Sequence, residues 1–407
     1  MTDTPVRKTP PVDDWNTDYD IFDPEYVVDP VPMWKDMRQE CPVAHTERWG
    51  GSWMPTRHAD LQAMAKMVPQ LSSKAPLVVE LPEGDPNEDN PDGLNAPPIS
   101  ADPPEATWTR KMILPTFAPK AVEQYRSFTE ELCNELIDGF IDAGQCDAAV
   151  DYAQQIPPRV IAHLLGLDPS RADEFTEWVR GVLELGLADP PVRIHYRDKI
   201  LTFLYDEVTD RVVNPRDDKI SELLAMDVPE MKGREVQVVI GIANLLLIAG
   251  IDTTWSSIGS ALFHFGSHPD DRHRLSADHS LFPTATEEML RYYSPVTMAR
   301  VAQEDVEYGD VVIREGDKVL MNFPAANHDP EVFENPEEIQ IDRQRNRHIA
   351  FGSGIHRCAG SNLARLEMDV ALRTWFERIP EFELAAPTAV TWAGGQVRGP
   401  RQLPMRF

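Results

Sequence analysis

The stretch FGSGIHRCAG, residues 351–360, sets Cys358, one of only four cysteines in 407 residues, among glycines and directly after His356 and Arg357. A cysteine in such a loop is a nucleophile, a zinc ligand, an inert buried thiol or the axial ligand of a haem. The third is the usual fate of a lone cysteine. The spacing argues otherwise: Phe351, Gly354, His356, Cys358 and Gly360 match F-x-x-G-x-[HR]-x-C-x-G. With ordinary residue frequencies, a chance match in a chain of this length is on the order of one in ten thousand. A thiolate ligand needs backbone N–H donors close by, and glycines let the backbone fold tightly around the sulfur. A helix starting near Ser361 would point its positive end at the same atom.

Two further patterns carry polar chemistry. AGIDTT, residues 249–254, puts Asp252 and Thr253 inside the apolar run NLLLIAGI, where polar groups are costly unless partnered or employed. A Thr hydroxyl there can bond back one turn and bend the helix, and Gly250 omits a side chain that would block a ligand. In EEMLRYYSP, residues 287–295, Glu288 and Arg291 stand three apart on one helix face. Taken alone they read as a surface ion pair worth about 0.2–0.5 kcal/mol.

These residues need a scaffold, and the sequence describes one. Helical periodicity covers 123–144, 170–187, 192–212, 234–266, 282–293 and 361–378. A continuous helix over 234–266 would be about 50 Å long. Strand-like pieces are confined to 305–323 and the C-terminal VTWAGGQVRGPRQLPMRF. Residues 80–104, rich in Pro, Asp and Asn, read as a long loop. The expectation is a mainly α protein with a minor β part, one large domain over 1–407 with residues 1–20 as a flexible tail.

Composition limits the function classes. Hydrophobic content of 42 % suits a globular chain, and the net charge of -28 opposes nonspecific binding to nucleic acid or anionic membrane. The apolar run 238–251 is too short to span a bilayer and stops at Asp252. The N-terminus has no signal-peptide pattern, and Cys41, Cys133, Cys146 and Cys358 form no C-x-x-C pair. A cytosolic protein in a reducing compartment fits.

With these motifs in order along the chain, the sequence resembles the cytochrome P-450 family, the haem-thiolate monooxygenases. LLLIAGIDTTWSSIG and the tail GQVRGPRQLP are similar to the haem domain of its self-sufficient, reductase-fused bacterial members. The resemblance implies the P-450 fold, with a long central helix over haem b and Cys358 as the axial iron ligand. Asp252 and Thr253 become an acid–alcohol pair that delivers protons to bound dioxygen. Glu288, Arg291 and Arg343 become a buried structural triad. Arg110, Arg300 and His356 match the residues that hold the haem propionates, with Phe351 and Gly360 beside the cofactor; Ala106 departs from the many relatives that carry His or another side chain able to reach a propionate there. The substrate pocket would be formed by Leu245, Ile248, Ala249, Val296 and Val397, and its lid by residues 80–100 and the helices between 170 and 212. All five pocket residues are apolar, which suits a small hydrophobic or aromatic substrate.

No P-loop, strand-following G-x-G-x-x-G or iron–sulfur cysteine set is present, so electrons are expected from separate proteins: a ferredoxin and its NAD(P)H-dependent ferredoxin reductase. Residues 343–365 hold Arg343, Arg345, Arg347, Arg357 and Arg365 without an Asp or Glu, a basic island suited to an acidic ferredoxin. Some of these arginines are also expected as buried haem or triad partners. The expected reaction is O2-dependent C–H hydroxylation or O-dealkylation. The rival enzyme, a peroxygenase using hydrogen peroxide, usually lacks the acid–alcohol pair; the rival from another class is a non-enzymatic haem sensor.

Overall fold

The organising element is the helix Glu235–Ser267, 33 residues of which most are buried. Its length is that expected from its sequence, and it is apolar on nearly all sides because other elements cover nearly all sides. By length and composition it could cross a membrane, but it is 72 % buried over its apolar window and serves as the core helix. Against it pack Ile156–Leu165, Ala172–Arg180, Pro190–Val213, Phe282–Tyr292 and Ser361–Arg378. This computed structural model describes residues 9–79 and 95–407. Most of the expected 80–104 loop and lid lies outside the described residues; 95–104 carries turns and no helix or strand.

A five-stranded sheet stands beside the helices, in the order Val43–Thr46, Ser52–Pro55, Lys318–Met321, Met298–Ala302, Leu71–Ser72. Neighbours are antiparallel except Ser52–Pro55 with Lys318–Met321. Side chains alternate across a strand, and Lys318–Met321 shows the consequence. Leu320 joins the helical core, while Val319 and Met321 face a smaller core formed with Leu61, Met64 and Phe323. The C-terminal segment forms the hairpin Thr391–Ala393 with Gly399–Gln402, then pairs Pro404–Arg406 with Gln145–Asp147 and Glu383–Leu384.

Several boundaries differ from expectation. The helix expected over 123–144 is Arg126–Asp138, followed by a single 3-10 turn to Gly144, which caps with φ of 65°. The helix expected over 170–187 changes at Gly181 into a wider five-residue π turn before resuming. The end of the expected flexible tail is tied down. Arg48 donates to the carbonyls of Pro10 and Pro11, Thr9 donates to Asp20, and Tyr19 and Asp20 are buried.

Candidate active site

The loop before the last long helix doubles back on itself, and the Cys358 N–H donates to Phe351 O at 2.8 Å. Gly352 and Gly354 both have φ of 73°, a region that costs other residues strain. A Cβ on Gly354 would also stand 2.6 Å from Ala65 O, so this glycine is required twice over. The result is a Cys358 side chain that faces a cavity between this loop and the long helix. Burial raises the thiol pKa, while the Gly360 N–H and Arg110, Arg357 and Arg365 pull it down.

Across the cavity runs the middle of the long helix. Leu245, Ile248, Ala249 and Thr253 border the cavity, as do Val296 and Val397, which meet in an isolated β-bridge. Thr253 Oγ1 donates to Ala249 O at 2.7 Å, the back-bond anticipated from sequence. Gly250 has a second reason: a Cβ there would meet Ile161 at 2.5 Å, so its absence lets two helices close as well as keeping the cavity clear.

The acid and alcohol separate in space. Thr253 lines the cavity, whereas Asp252 turns into the protein, fully buried, and accepts from Arg401 at 2.8 Å and from Ser256 at 3.4 Å. Arg401 also donates to Glu184 at 2.8 Å, Glu184 accepts from Arg180 at 2.9 Å, and the Arg401 guanidinium lies 4.2 Å from the Trp255 ring centre. Burial opposes the charge on Glu184, but the two arginines hold its pKa down to about 2. Asp252 is raised: burial outweighs Arg401, and the Glu184 charge adds to the rise. Nothing in the sequence pairs positions 184, 252 and 401, so this network was missed.

At the cavity edge stand Arg110, Arg300 and His356. Arg300 is 6 % exposed, and among the described residues the one hydrogen bond of its side chain is to Ala299 O at 2.7 Å. Burial lowers its pKa to about 10 against the pull of Asp102. His356 Nε2 is buried without a partner, and burial with the nearby Arg300 lowers its pKa to about 4. A buried guanidinium short of acceptors and an unpartnered imidazole, facing the same space as a thiol, fit a flat cofactor carrying carboxylates. Asp102, held by Ser72 Oγ at 2.5 Å and Ser73 N at 2.9 Å, is an acidic neighbour that the sequence did not flag. Phe351 and Gly360 border the cavity as well.

Behind this site Glu288 accepts from Arg291 at 2.7 Å and Arg343 at 3.0 Å, with both the Glu288 and Arg291 side chains at 0 % exposure. The surface-pair reading is therefore corrected. The arginines also donate to the carbonyls of Asn327, Pro336, Glu338 and Glu334, which satisfies the donors that burial would otherwise strand. The basic island is likewise thinner than its sequence. Arg343 is buried and Arg365 is paired with Glu287 at 2.5 Å, leaving Arg345, Arg347 and Arg357 exposed.

Comparison with known proteins places this architecture. The profile of the family described as Cytochrome P450 matches residues 192–388. The chain is 33 % identical to cytochrome P450 107B1 of Saccharopolyspora erythraea, over 95 % of this chain and 96 % of that protein. It is also 33 % identical to 6-deoxyerythronolide B hydroxylase of the same organism, over 95 % and 98 %. Among solved structures, the bacillaene polyketide synthase cytochrome P450 PksS of Bacillus subtilis superposes with a TM-score of 0.85 at 29 % identity, covering 95 % of this chain and 99 % of that one. With a thiol-bearing glycine loop opposite a threonine on a long central helix, and near full-length similarity to hydroxylases, the chain belongs to the cytochrome P450 family of monooxygenases.

Proposed function

We propose that this chain inserts one oxygen atom of O2 into a small hydrophobic or aromatic substrate, by C–H hydroxylation or O-dealkylation, and works in the cytoplasm. Electrons come from NAD(P)H through a reductase and a ferredoxin that are separate proteins, although the AGIDTT helix and the C-terminal tail keep their likeness to reductase-fused haem domains. The observation that carries the reading is an apolar cavity bordered on one side by the Cys358 thiol and on the other by Thr253.

Haem b, when bound, supplies the oxygen activation. Cys358 would ligate its iron, and Arg110, Arg300 and His356 would hold its carboxylates, with Phe351 and Gly360 alongside. Leu245, Ile248, Ala249, Val296 and Val397 exclude water and bind the substrate through apolar contact. Thr253 directs a proton toward the reacting oxygen. Asp252, whose raised pKa suits a group that gains and loses protons, passes protons inward while Arg401 holds its carboxylate in place. Glu288, Arg291 and Arg343 keep the Cys358 loop in register from behind.

Titrating small hydrophobic compounds into the holoenzyme tests the pocket. Members of the substrate class should displace the spectrum of the resting enzyme and give oxygenated product with NADH, reductase and ferredoxin. Product formed only with hydrogen peroxide would favour the peroxygenase, and a spectral response with no product under either condition would favour the sensor. The partner reading has its own test. Because exposed charges are screened over about 10 Å at 0.1 M salt, the first electron transfer should slow as salt rises. Arg345→Glu should slow it further at low salt and flatten the salt dependence. A rate indifferent to both removes electrostatic docking.

A further inference from the structure

One buried amide on the cavity wall has no part in the scheme above. Gln396 lies in the turn of the C-terminal hairpin, between Thr391–Ala393 and Gly399–Gln402 and directly before Val397. It is 3 % exposed and borders the cavity. Its side chain reaches residues 318 and 320 positions earlier: Oε1 accepts from Val78 N at 3.0 Å, and Nε2 donates to Pro76 O at 3.3 Å and to Met298 Sδ at 3.0 Å. One carboxamide thus offers an acceptor and a donor to the two residues that bracket Leu77, as the edge of a neighbouring strand would.

Leu77 needs such a partner. Residues 73–79 form neither helix nor strand, so no ladder fixes them. The adjacent strand Met298–Ala302 supplies one bond to this stretch, from Ala299 N to Pro76 O at 2.9 Å. Val78 is 2 % exposed, and loss of the amide would leave its N–H buried without the acceptor it has in Gln396. On its other side Gln396 is anchored by its backbone. Its carbonyl accepts from Thr297 N at 3.1 Å, and the next residue, Val397, bridges to Val296. Leu77, Val296 and Val397 all border the cavity. A single side chain therefore ties two separate pieces of the apolar wall together. As mere filler a buried amide is costly, and a leucine of similar volume would make neither backbone bond.

We propose that Gln396 is the positioning residue that sets the size selectivity of the pocket. Its carboxamide holds Leu77 in place against Val296 and Val397, so a substrate one methylene too long meets a wall that does not give. The inference rests on the reading of the cavity as the pocket of a hydrophobic substrate.

A series of 1-alkylimidazoles tests it with the holoenzyme, because the ring reports its binding to the iron through the Soret band while the alkyl chain probes the wall. In the wild type, affinity should rise with chain length and then fall about tenfold at the first methylene that the wall rejects. In Gln396→Leu, imidazole itself should bind as in the wild type, whereas that drop should shrink to about twofold as Leu77 gives way. Leu77→Ala should shrink it too, and the double variant should add little, since one residue acts through the other. A filler role would lower the thermal transition of Gln396→Leu and leave the drop at its wild-type size. That result, or full additivity in the double variant, overturns the proposal alone. One arm needs no variant: in the wild type, hydrogen exchange at the Val78 amide should slow with the best-fitting alkylimidazole and not with imidazole. Equal exchange with both overturns the clasp even where Gln396→Leu does not fold. If no alkyl chain improves on imidazole in the wild type, the hydrophobic-substrate reading falls together with the proposal.

Discussion

Cys358→Ala should abolish the long-wavelength Soret band of the ferrous carbon monoxide adduct and with it all O2-dependent turnover. The thiol lies on the cavity wall in a loop whose backbone is set by glycines and by the Cys358 N–H to Phe351 O bond, neither of which involves the sulfur. Truncation to Ala therefore removes the ligand and leaves the loop. Circular dichroism and the thermal transition of the apoprotein should stay close to wild type, which separates ligand loss from misfolding. Cys358→His is the companion variant: it restores a ligand without a thiolate, so the haem is retained while the long-wavelength band stays absent. Survival of that band in Cys358→Ala would mean that another residue binds the iron, and none of the other three cysteines borders the cavity.

The second large effect is on coupling. Thr253→Ala removes one hydroxyl and one methyl from a helix interior that Ala suits well. The lost Oγ1 bond to Ala249 O is a back-bond, and removing it strands no buried donor. Haem content and substrate-induced spectral shifts should therefore remain near normal. NADH consumption should continue while product per NADH drops about tenfold and hydrogen peroxide rises to match, because proton delivery by a positioned group is worth about that much or more. Asp252→Asn should instead slow the whole cycle, since its carboxylate sits behind the cavity wall in contact with Arg401. An unchanged product-to-NADH ratio in Thr253→Ala, measured with the true substrate, removes the proton-delivery role from this residue.

The two acids illustrate different kinds of burial. Asp252 is held by cations that oppose its neutralisation, and Glu184 next to it is fully ionised for the same reason. Glu367 meets no cation, so desolvation acts unopposed. One cavity thus has an ion-paired carboxylate behind one wall and a neutral carboxylic acid on another.

The sequence alone determined the features that depend on short spacing. Ten residues around Cys358 specify the loop because glycine φ angles and a following helix start are local properties. The 33-residue, largely apolar central helix and the full extent of Ser361–Arg378 were legible for the same reason, since periodicity is read within a few turns. Tertiary structure decided whatever depends on residues far apart in the chain. Glu288 and Arg291 look like an ordinary surface pair until Arg343 and three loop carbonyl groups close over them. The basic island loses Arg365 to Glu287, 78 positions away. Asp252 meets Arg401 across 149 positions, and Glu367 has no visible motif at all. The physical reason is that a pKa or an ion pair is fixed by which groups folding brings within a few ångströms and by how much water it leaves between them. Residue type states what a side chain can do, and only packing decides whether it is charged, paired or left holding a proton.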